Sequence, residues 1–490
     1  MNKITILNHK VCKIELENSD ILENLRAELS FKMTGIEFIP AYRNGSWDGI
    51  TKMLNYKNEF PGGLLPRVKE FLKNKNLIFE TQDLRKPIEK MDPINIDDNL
   101  KKLSLVPRDY QEKMADVISK DTRGIIRACT GSGKSLVAAM MAAKLGKPTC
   151  IFVISLDLLE QFHKFFSKVF NEPIGYIGNG VCEVQRINIA SIWTVARSLS
   201  LDLKDILIDE EVDQEEEYNP SDKEKILTCL NDTKVFLLDE CHVCSTNTIK
   251  SIYKVINPEY LYGLSGTPFR EDGSNLMIEG ILGKVLIDVP ASQLIAKGYL
   301  IQPLIKFVNV PFKKISGHYQ QIYKEYIVEN EERNNLIVDN VKILQNLNYK
   351  IFVLFKQIKH GDILRDLFQE NNLSFGYLSG KDSTDIREEV KENFLSGKYN
   401  IILASTIFDI GVDVPIANAL VLAGGGKSEI RARQRIGRVI RPAPKKKYVA
   451  VVDFYDQVKY LKKHSQRRHE IYQSENGFRV VPEKLESKKS

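Results

Sequence analysis

The octapeptide ACTGSGKS, Ala128 to Ser135, has the residue types needed to hold a polyphosphate. It follows a short apolar run (GIIRA) and opens a longer one (LVAAMMAAKLG), which reads as strand, loop and helix. Glycines at 131 and 133 let the backbone of Thr130, Gly131, Ser132 and Gly133 wrap its N–H groups around phosphate oxygens. Lys134 then neutralises the β- and γ-phosphates, and Ser135 offers a hydroxyl to Mg2+. Ala128 stands where this pattern usually has its first glycine. Further on, VFLLDECH (Val235 to His242) places two carboxylates at the end of an apolar strand. That pairing is costly without a cation or proton donor. Asp239 is expected to hold Mg2+ through water, and Glu240 to orient or deprotonate an attacking water. Cys241, His242 and Cys244 form half of a zinc set, but no second ligand pair follows at suitable spacing. In GLSGTPFR, Ser265 and Thr267 are candidates to hydrogen-bond the DECH segment and relay the nucleotide state; the alternative is a plain Ser-Gly turn before Pro268. Upstream lie Arg108 and Gln111; a Gln amide can pair with adenine N6 and N7, which would select ATP.

These groups need rigid elements to hold them. From about 104 to 300, short apolar strands (GIIRAC, TCIFVIS, INIAS, VFLLDE, YLYGLSGT) alternate with helical segments. The pattern recurs from about 301 to 452 (IFVLF, IILAST, ALVLAG, YVAVVDF). Continuous apolar strands separated by helices indicate parallel sheets covered on both faces. The fold class is therefore α/β, with two tandem parallel-sheet domains at 101–300 and 301–454. A small α+β domain at 1–100 precedes them, and a short helical, basic tail at 455–490 follows. The run GGGKS at 424–428 mimics the end of a phosphate loop but lacks room for a following helix, and reads as a flexible loop.

The chain has 490 residues, 70 basic and 64 acidic side chains and a net charge of +6. Residues 441–490 hold 13 basic and 6 acidic side chains, whereas 1–440 hold 57 and 58, so the positive balance belongs to the tail. Such a tail predicts added phosphate contacts. Residues 202–224 carry 11 acidic side chains and two lysines, the mark of a solvated surface insertion. No apolar run approaches the roughly 18 residues of a membrane span. Charge interrupts the first twenty residues, so no signal peptide is visible. Seven scattered cysteines fit a reducing cytoplasm.

Arg108/Gln111, the phosphate loop, DECH and SGT, in that order, together resemble the superfamily 2 helicases and translocases. ASTIFDIGVDVP (404–415) and QRIGRVIR (434–441) complete the set. In the second of these, spacing puts Arg438 and Arg441 near one helix face, with Gly437 permitting close approach. The resemblance implies RecA-like domains and nucleic-acid-stimulated hydrolysis of ATP with Mg2+. It places Gly411 and Asp413 at the nucleotide, Gln434 in the catalytic set, and Arg438 and Arg441 as arginine fingers toward the γ-phosphate. It also implies phosphate contacts to nucleic acid from Ser155, Gln161, Ser191 and Thr194 in the first domain. Lys356, Gln357, Ser379, Gly380, Lys381 and Thr406 would contribute from the second.

The N-terminal AYRNGSWDGITKML is similar to the UvsW-type helicases of bacteriophages, at Tyr42, Arg43, Gly45, Trp47, Asp48 and Gly49. Asn44-Gly45 and Asp48-Gly49 are hairpin signals, and Trp47 reads as a core anchor ahead of a base-stacking probe. With 15 basic and 15 acidic residues in 1–100, this domain is no electrostatic clamp. The resemblance implies remodelling of branched DNA: fork regression, junction branch migration and R-loop removal, in phage-type replication, recombination and repair in the host-cell cytoplasm. The implied partners are branched or double-stranded DNA, with RNA–DNA hybrids allowed, no membrane and no foreseeable stable protein partner. Competing classes are a duplex translocase that does not separate strands, an RNA helicase, and an annealing factor with a vestigial ATPase. The complete nucleotide motifs argue against the last.

Overall fold

The computed structural model describes residues 2–32, 40–200, 217–241, 246–266, 275–380, 382–405, 416–426 and 429–482. The chain forms two compact units, Met1–Ala128 with Gly133–Asp288, and Cys129–Ser132 with Val289–Ser490.

The first unit opens with β1 (Asn2–Ile6), β2 (Val11–Glu15), β3 (Ser30–Lys32), β4 (Ile50–Lys52), β5 (Glu59–Pro61) and β6 (Phe79–Asp83). Four of these form a mixed sheet in the order β5-β2-β1-β6, while β3 and β4 pair separately. Alternate residues of β1 and β2 (Ile4, Ile6, Cys12, Ile14) point into a core that continues without a break to Leu282. The junction is polar as well as apolar. Lys10 Nζ donates to the carbonyls of Tyr253 (3.2 Å), Lys254 (3.0 Å) and Ile256 (2.9 Å), at the end of helix Thr246–Val255. A cation suits those orphan carbonyls and the negative end of the helix dipole. Arg67 pairs with Glu279 at 2.8 Å, and a Cβ added at Gly63 would lie 2.1 Å from the Glu279 carbonyl oxygen. The half-buried Trp47 donates its indole N–H to the Ile50 carbonyl at 3.0 Å, closing its own turn.

The rest of the unit is a largely parallel sheet built from β7 (Arg123–Ala128), β8 (Thr149–Val153), β9 (Ile174–Gly178), β10 (Val181–Glu183), β11 (Ile187–Ser191), β12 (Val235–Asp239), β13 (Tyr260–Ser265) and β14 (Val285–Val289), with the edge strand β10 antiparallel to β9. The order is β10-β9-β11-β8-β12-β13-β7-β14. Strands β8, β11 and β12 are buried along their whole length, as a sheet covered on both faces requires. Residues 202–216 of the acidic block lie outside the described residues. Beyond them, the Glu217 carbonyl accepts from Gly180 N–H at 2.8 Å, and helix Lys223–Asp232 buries Ile226, Cys229 and Leu230.

The second unit holds β15 (Pro303–Val310), β16 (Ile351–Phe355), β17 (Phe375–Leu378), β18 (Ile401–Ser405), β19 (Ala419–Leu422), β20 (Val449–Asp456) and β21 (Arg479–Val481). They pair in parallel in the order β17-β18-β16-β19-β20-β15-β21. The basic tail is helical as expected, from Lys459 to Ser474, but it is also a working part of this sheet. Its strand β21 pairs with β15, and its helix buries Leu461, Arg468, Ile471 and Tyr472. Arg468 makes a two-pronged ion pair with Asp453 at 2.8 Å on each prong, and Tyr472 adds its hydroxyl to the same carboxylate at 3.0 Å. The glycine run after β19 differs from its expected flexibility. The Gly424 carbonyl accepts from Tyr323 (2.6 Å), that of Gly426 from Arg468 (2.6 Å), and that of Ala423 from the buried Arg333 (2.7 Å). Arg333 also pairs with Asp456 at 2.8 Å. Lys427 and Ser428 lie outside the described residues.

Candidate functional site

In a parallel α/β sheet, chemistry collects where the strands end at their C-terminal edge. Strands β7, β8, β11, β12 and β13 are mutually parallel, so Lys134, Ser155, Ser191, Asp239 and Ser265 all emerge on that edge. The loop after β7 turns on Gly131 (φ +87°) and Gly133 (φ +82°), a region open to glycine at little cost. Helix Lys134–Leu145 then begins, with Lys134 and Ser135 in its first turn. Gln111 lies against this turn, with its Nε2 2.3 Å from where a Cβ on Gly133 would stand. Its Oε1 accepts the Arg108 backbone N–H at 2.9 Å, and the side chain is 5 % exposed. Gln111 therefore braces the phosphate loop in this structure. Reading adenine with both amide atoms requires Oε1 to share or release the Arg108 N–H.

Lys134 Nζ sits 3.2 Å from Glu240 Oε1, both side chains being nearly buried. Glu240 leaves β12 at φ +47°, an uncommon conformation for a side-chain-bearing residue. Its Oε2 accepts from Ser265 Oγ at 3.3 Å, which brings Ser265 to the DECH segment. Asp239 ends β12, is 4 % exposed, and has an Oδ1 buried without a hydrogen-bond partner. Burial, and after it the Glu240 carboxylate, pushes the Asp239 carboxyl up to about 7, against the pull of Lys134 and a backbone hydrogen bond. A buried, unpartnered carboxylate oxygen suits a hard, oxygen-liganded cation such as Mg2+, which takes few protein ligands. Among the described residues no group of three His, Cys, Asp or Glu is poised for a metal; His242 and Cys244 lie outside them.

Three family models match successive parts of the chain. The DNA helicase UvsW N-terminal model covers residues 2–80, the type III restriction enzyme res subunit model 104–270, and the helicase conserved C-terminal domain model 332–443. The chain belongs to the superfamily 2 helicases. This helicase uses ATP, and no helix among its described residues is long and apolar enough to cross a membrane. It is 27% identical over 474 residues to the ATP-dependent DNA helicase uvsW of Enterobacteria phage T4, covering 91% of this chain and 88% of that one. It is 25% identical over 377 residues to the DNA 3'-5' translocase XPB2 of Sulfurisphaera tokodaii, covering 69% and 79%. A fragment of a putative HsdR subunit of a type I restriction enzyme from Vibrio vulnificus shares its fold, with a TM-score of 0.53, 18% identity, and coverage of 74% and 68%.

The remaining described site candidates of the helicase lie at strand ends or on the helices and turns that follow, each within its own unit. In the first unit, Ser155 and Ser191 cap helices, accepting from Leu158 N–H and Trp193 N–H at 3.2 Å each. Thr194 is buried within the second of those helices, and Gln161 is exposed on the first. In the second unit, Lys356 and Gln357 follow β16 and Gly380 follows β17, with Lys356 and Gly380 half-buried and Gln357 exposed. Helix Glu429–Val439 carries Gln434 and Arg438, and Arg441 follows it. Thr267, Lys381, Thr406, Gly411 and Asp413 lie outside the described residues. Sequence reasoning passed over Lys10, Tyr323, Arg333 and Arg468. Two acids inside the apolar strand at 449–456, Asp453 and Asp456, were the available signal, because buried carboxylates demand cations.

Proposed function

We propose that this helicase is an ATP-driven motor on DNA that remodels branched structures: regressing forks, migrating junctions and removing R-loops. The observation that carries the motor half of this reading is the Lys134–Glu240–Ser265 chain beside the unpartnered Asp239 oxygen. Lys134 exchanges Glu240 for the β- and γ-phosphates when nucleotide enters. Glu240, released, orients the attacking water, and its link to Ser265 reports that exchange to β13. Asp239 and Ser135 would hold Mg2+, which when bound would supply positive charge against the phosphates. Arg438 and Arg441 add cationic stabilisation of the transition state, with Gln434, Gly411 and Asp413 at the nucleotide. Nucleic acid stimulates hydrolysis through phosphate contacts from Gln161, Lys356, Gln357, Gly380, Lys381 and Thr406. Ser155 supports that surface by fixing a helix end, and Thr194 supports it from within the helix that Ser191 caps. The branched-DNA half rests on likeness to phage uvsW across 91% of the chain, N-terminal segment included.

The test is ATPase and strand-exchange activity of wild type and Lys134→Ala on forks, four-way junctions, R-loops, plain duplex and RNA duplex. The motor reading requires DNA-stimulated hydrolysis that Lys134→Ala abolishes. Fork regression by Lys134→Ala sinks it, and stimulation by RNA duplex alone sinks the DNA assignment. A second reading, a duplex translocase, is favoured by the XPB2 likeness; ATP-driven displacement of a bound oligonucleotide triplex without strand separation selects it.

A further inference from the structure

The chain's positive balance has a definite address in the second unit. Between 311 and 324 there are three lysines and no acidic residue, and between 457 and 469 there are three lysines, two arginines and again no acid. The two segments leave the C-terminal ends of adjacent parallel strands, β15 and β20. They touch directly: Lys459 Nζ donates to the Gly317 carbonyl at 3.5 Å. Tyr319 packs against Tyr460 with ring centroids 6.1 Å apart, and against His464 at 5.6 Å. These rings are not core. Tyr319 is 36% exposed and Tyr460 39%, and Phe312, earlier in the first segment, is 61% exposed. Lys313, Lys314, Lys459 and Lys463 are exposed on the same two segments, and Lys459 lies 4.8 Å from the Tyr460 ring centroid.

We propose that Tyr319 and Tyr460, rimmed by Lys313, Lys314, Lys459 and Lys463, form a stacking platform for unpaired bases of a single DNA strand. Exposed aromatic faces take bases of any sequence, and the flanking cations follow the phosphates. The platform shares its sheet edge with Lys356 and Gln357 after β16. Three inter-strand spacings of ~4.8 Å separate β16 from β15, so both groups lie along one side of the same sheet. This rests on the DNA-motor reading and extends it with a contact outside the motifs.

The experiment uses the full chain and a fluorescent oligo-dT, with anisotropy read across a salt titration. Tyr319→Ala/Tyr460→Ala is expected to weaken binding about 5- to 100-fold, with little change in salt slope, whereas Tyr319→Phe/Tyr460→Phe retains affinity. Changing the four lysines to Gln is expected to lower the slope of log K against log salt by about 2 to 3. The lysines are surface groups, so that variant stays informative if the alanine pair misfolds, as circular dichroism would reveal. Unchanged oligo-dT affinity in the folded alanine pair, or an equal loss on blunt duplex, overturns the platform. So does an unchanged salt slope in the lysine variant. A wild type that binds no DNA overturns the motor reading as well, which separates the two failures.

Discussion

Gly133→Ala probes how the phosphate loop is held, and its cost divides into two separable parts. A left-handed φ of +82° strains any residue with a Cβ by about 1–2 kcal/mol. The new Cβ would also stand 2.3 Å from Gln111 Nε2, so the amide must swing away and give up the Arg108 N–H bond, a further loss of about 1 kcal/mol. The total is about 2–3 kcal/mol. In a Gln111→Ala background the obstruction is gone and only the backbone strain remains, so the cost of Gly133→Ala should fall by about 1 kcal/mol. Both tryptophans, Trp47 and Trp193, lie in the first unit, so tryptophan fluorescence during urea unfolding follows that unit alone. Binding of a fluorescent ATP analogue read in parallel should weaken in Gly133→Ala. Costs that add within about 0.3–0.5 kcal/mol across the cycle would refute the bracing role of Gln111.

Arg468→Ala leaves Asp453 charged, buried and unpaired, and should destabilise the second unit by about 3–5 kcal/mol in thermal unfolding. By the same reasoning, removal of 455–490 should unfold that unit rather than flatten the salt dependence of DNA binding; a truncated chain with native circular dichroism would count against this. His360 is held neutral, its pKa lowered to about 3 first by burial and then by Arg333, while its Nε2 faces Asn334 Oδ1 at 3.0 Å. The unfolded chain binds the extra proton, so stability is intact above pH 6.5 and declines as pH falls toward 3, by on the order of 3–5 kcal/mol. His360→Gln should flatten that acid limb in urea titrations between pH 4 and 7, and an unchanged slope would contradict it.

The nucleotide site is legible in the sequence because its chemistry is local. Two glycines, a lysine and two serines in five residues fix both the turn and the charge, and DECH ends a strand whose burial its own composition announces. Charge counting is less dependable, because it sees residues and not partners. Arg468 adds to the tail's positive excess, yet its charge is spent on Asp453, while Lys459 and Lys463 keep theirs facing solvent. The loop at 424–426 reads as free for the same reason: its fasteners, Tyr323, Arg333 and Arg468, come from distant parts of the chain. Ser155 and Ser191 illustrate a different ambiguity. Hydroxyls after strands serve helix capping and phosphate binding alike, and the structure shows them capping.

Lys10 and Gly63 dock on residues 253–256 and 279–280, so the face they belong to is finished about two hundred residues after it is made. At translation rates of roughly 5–20 residues per second, that interval is about 10–40 s on the ribosome. During it the first-made segment must keep its unfinished apolar side from other chains, with only its own two small sheets and short helices for order. Slowing or pausing synthesis between residues 80 and 280 should therefore affect yield far more than an equal pause after residue 300.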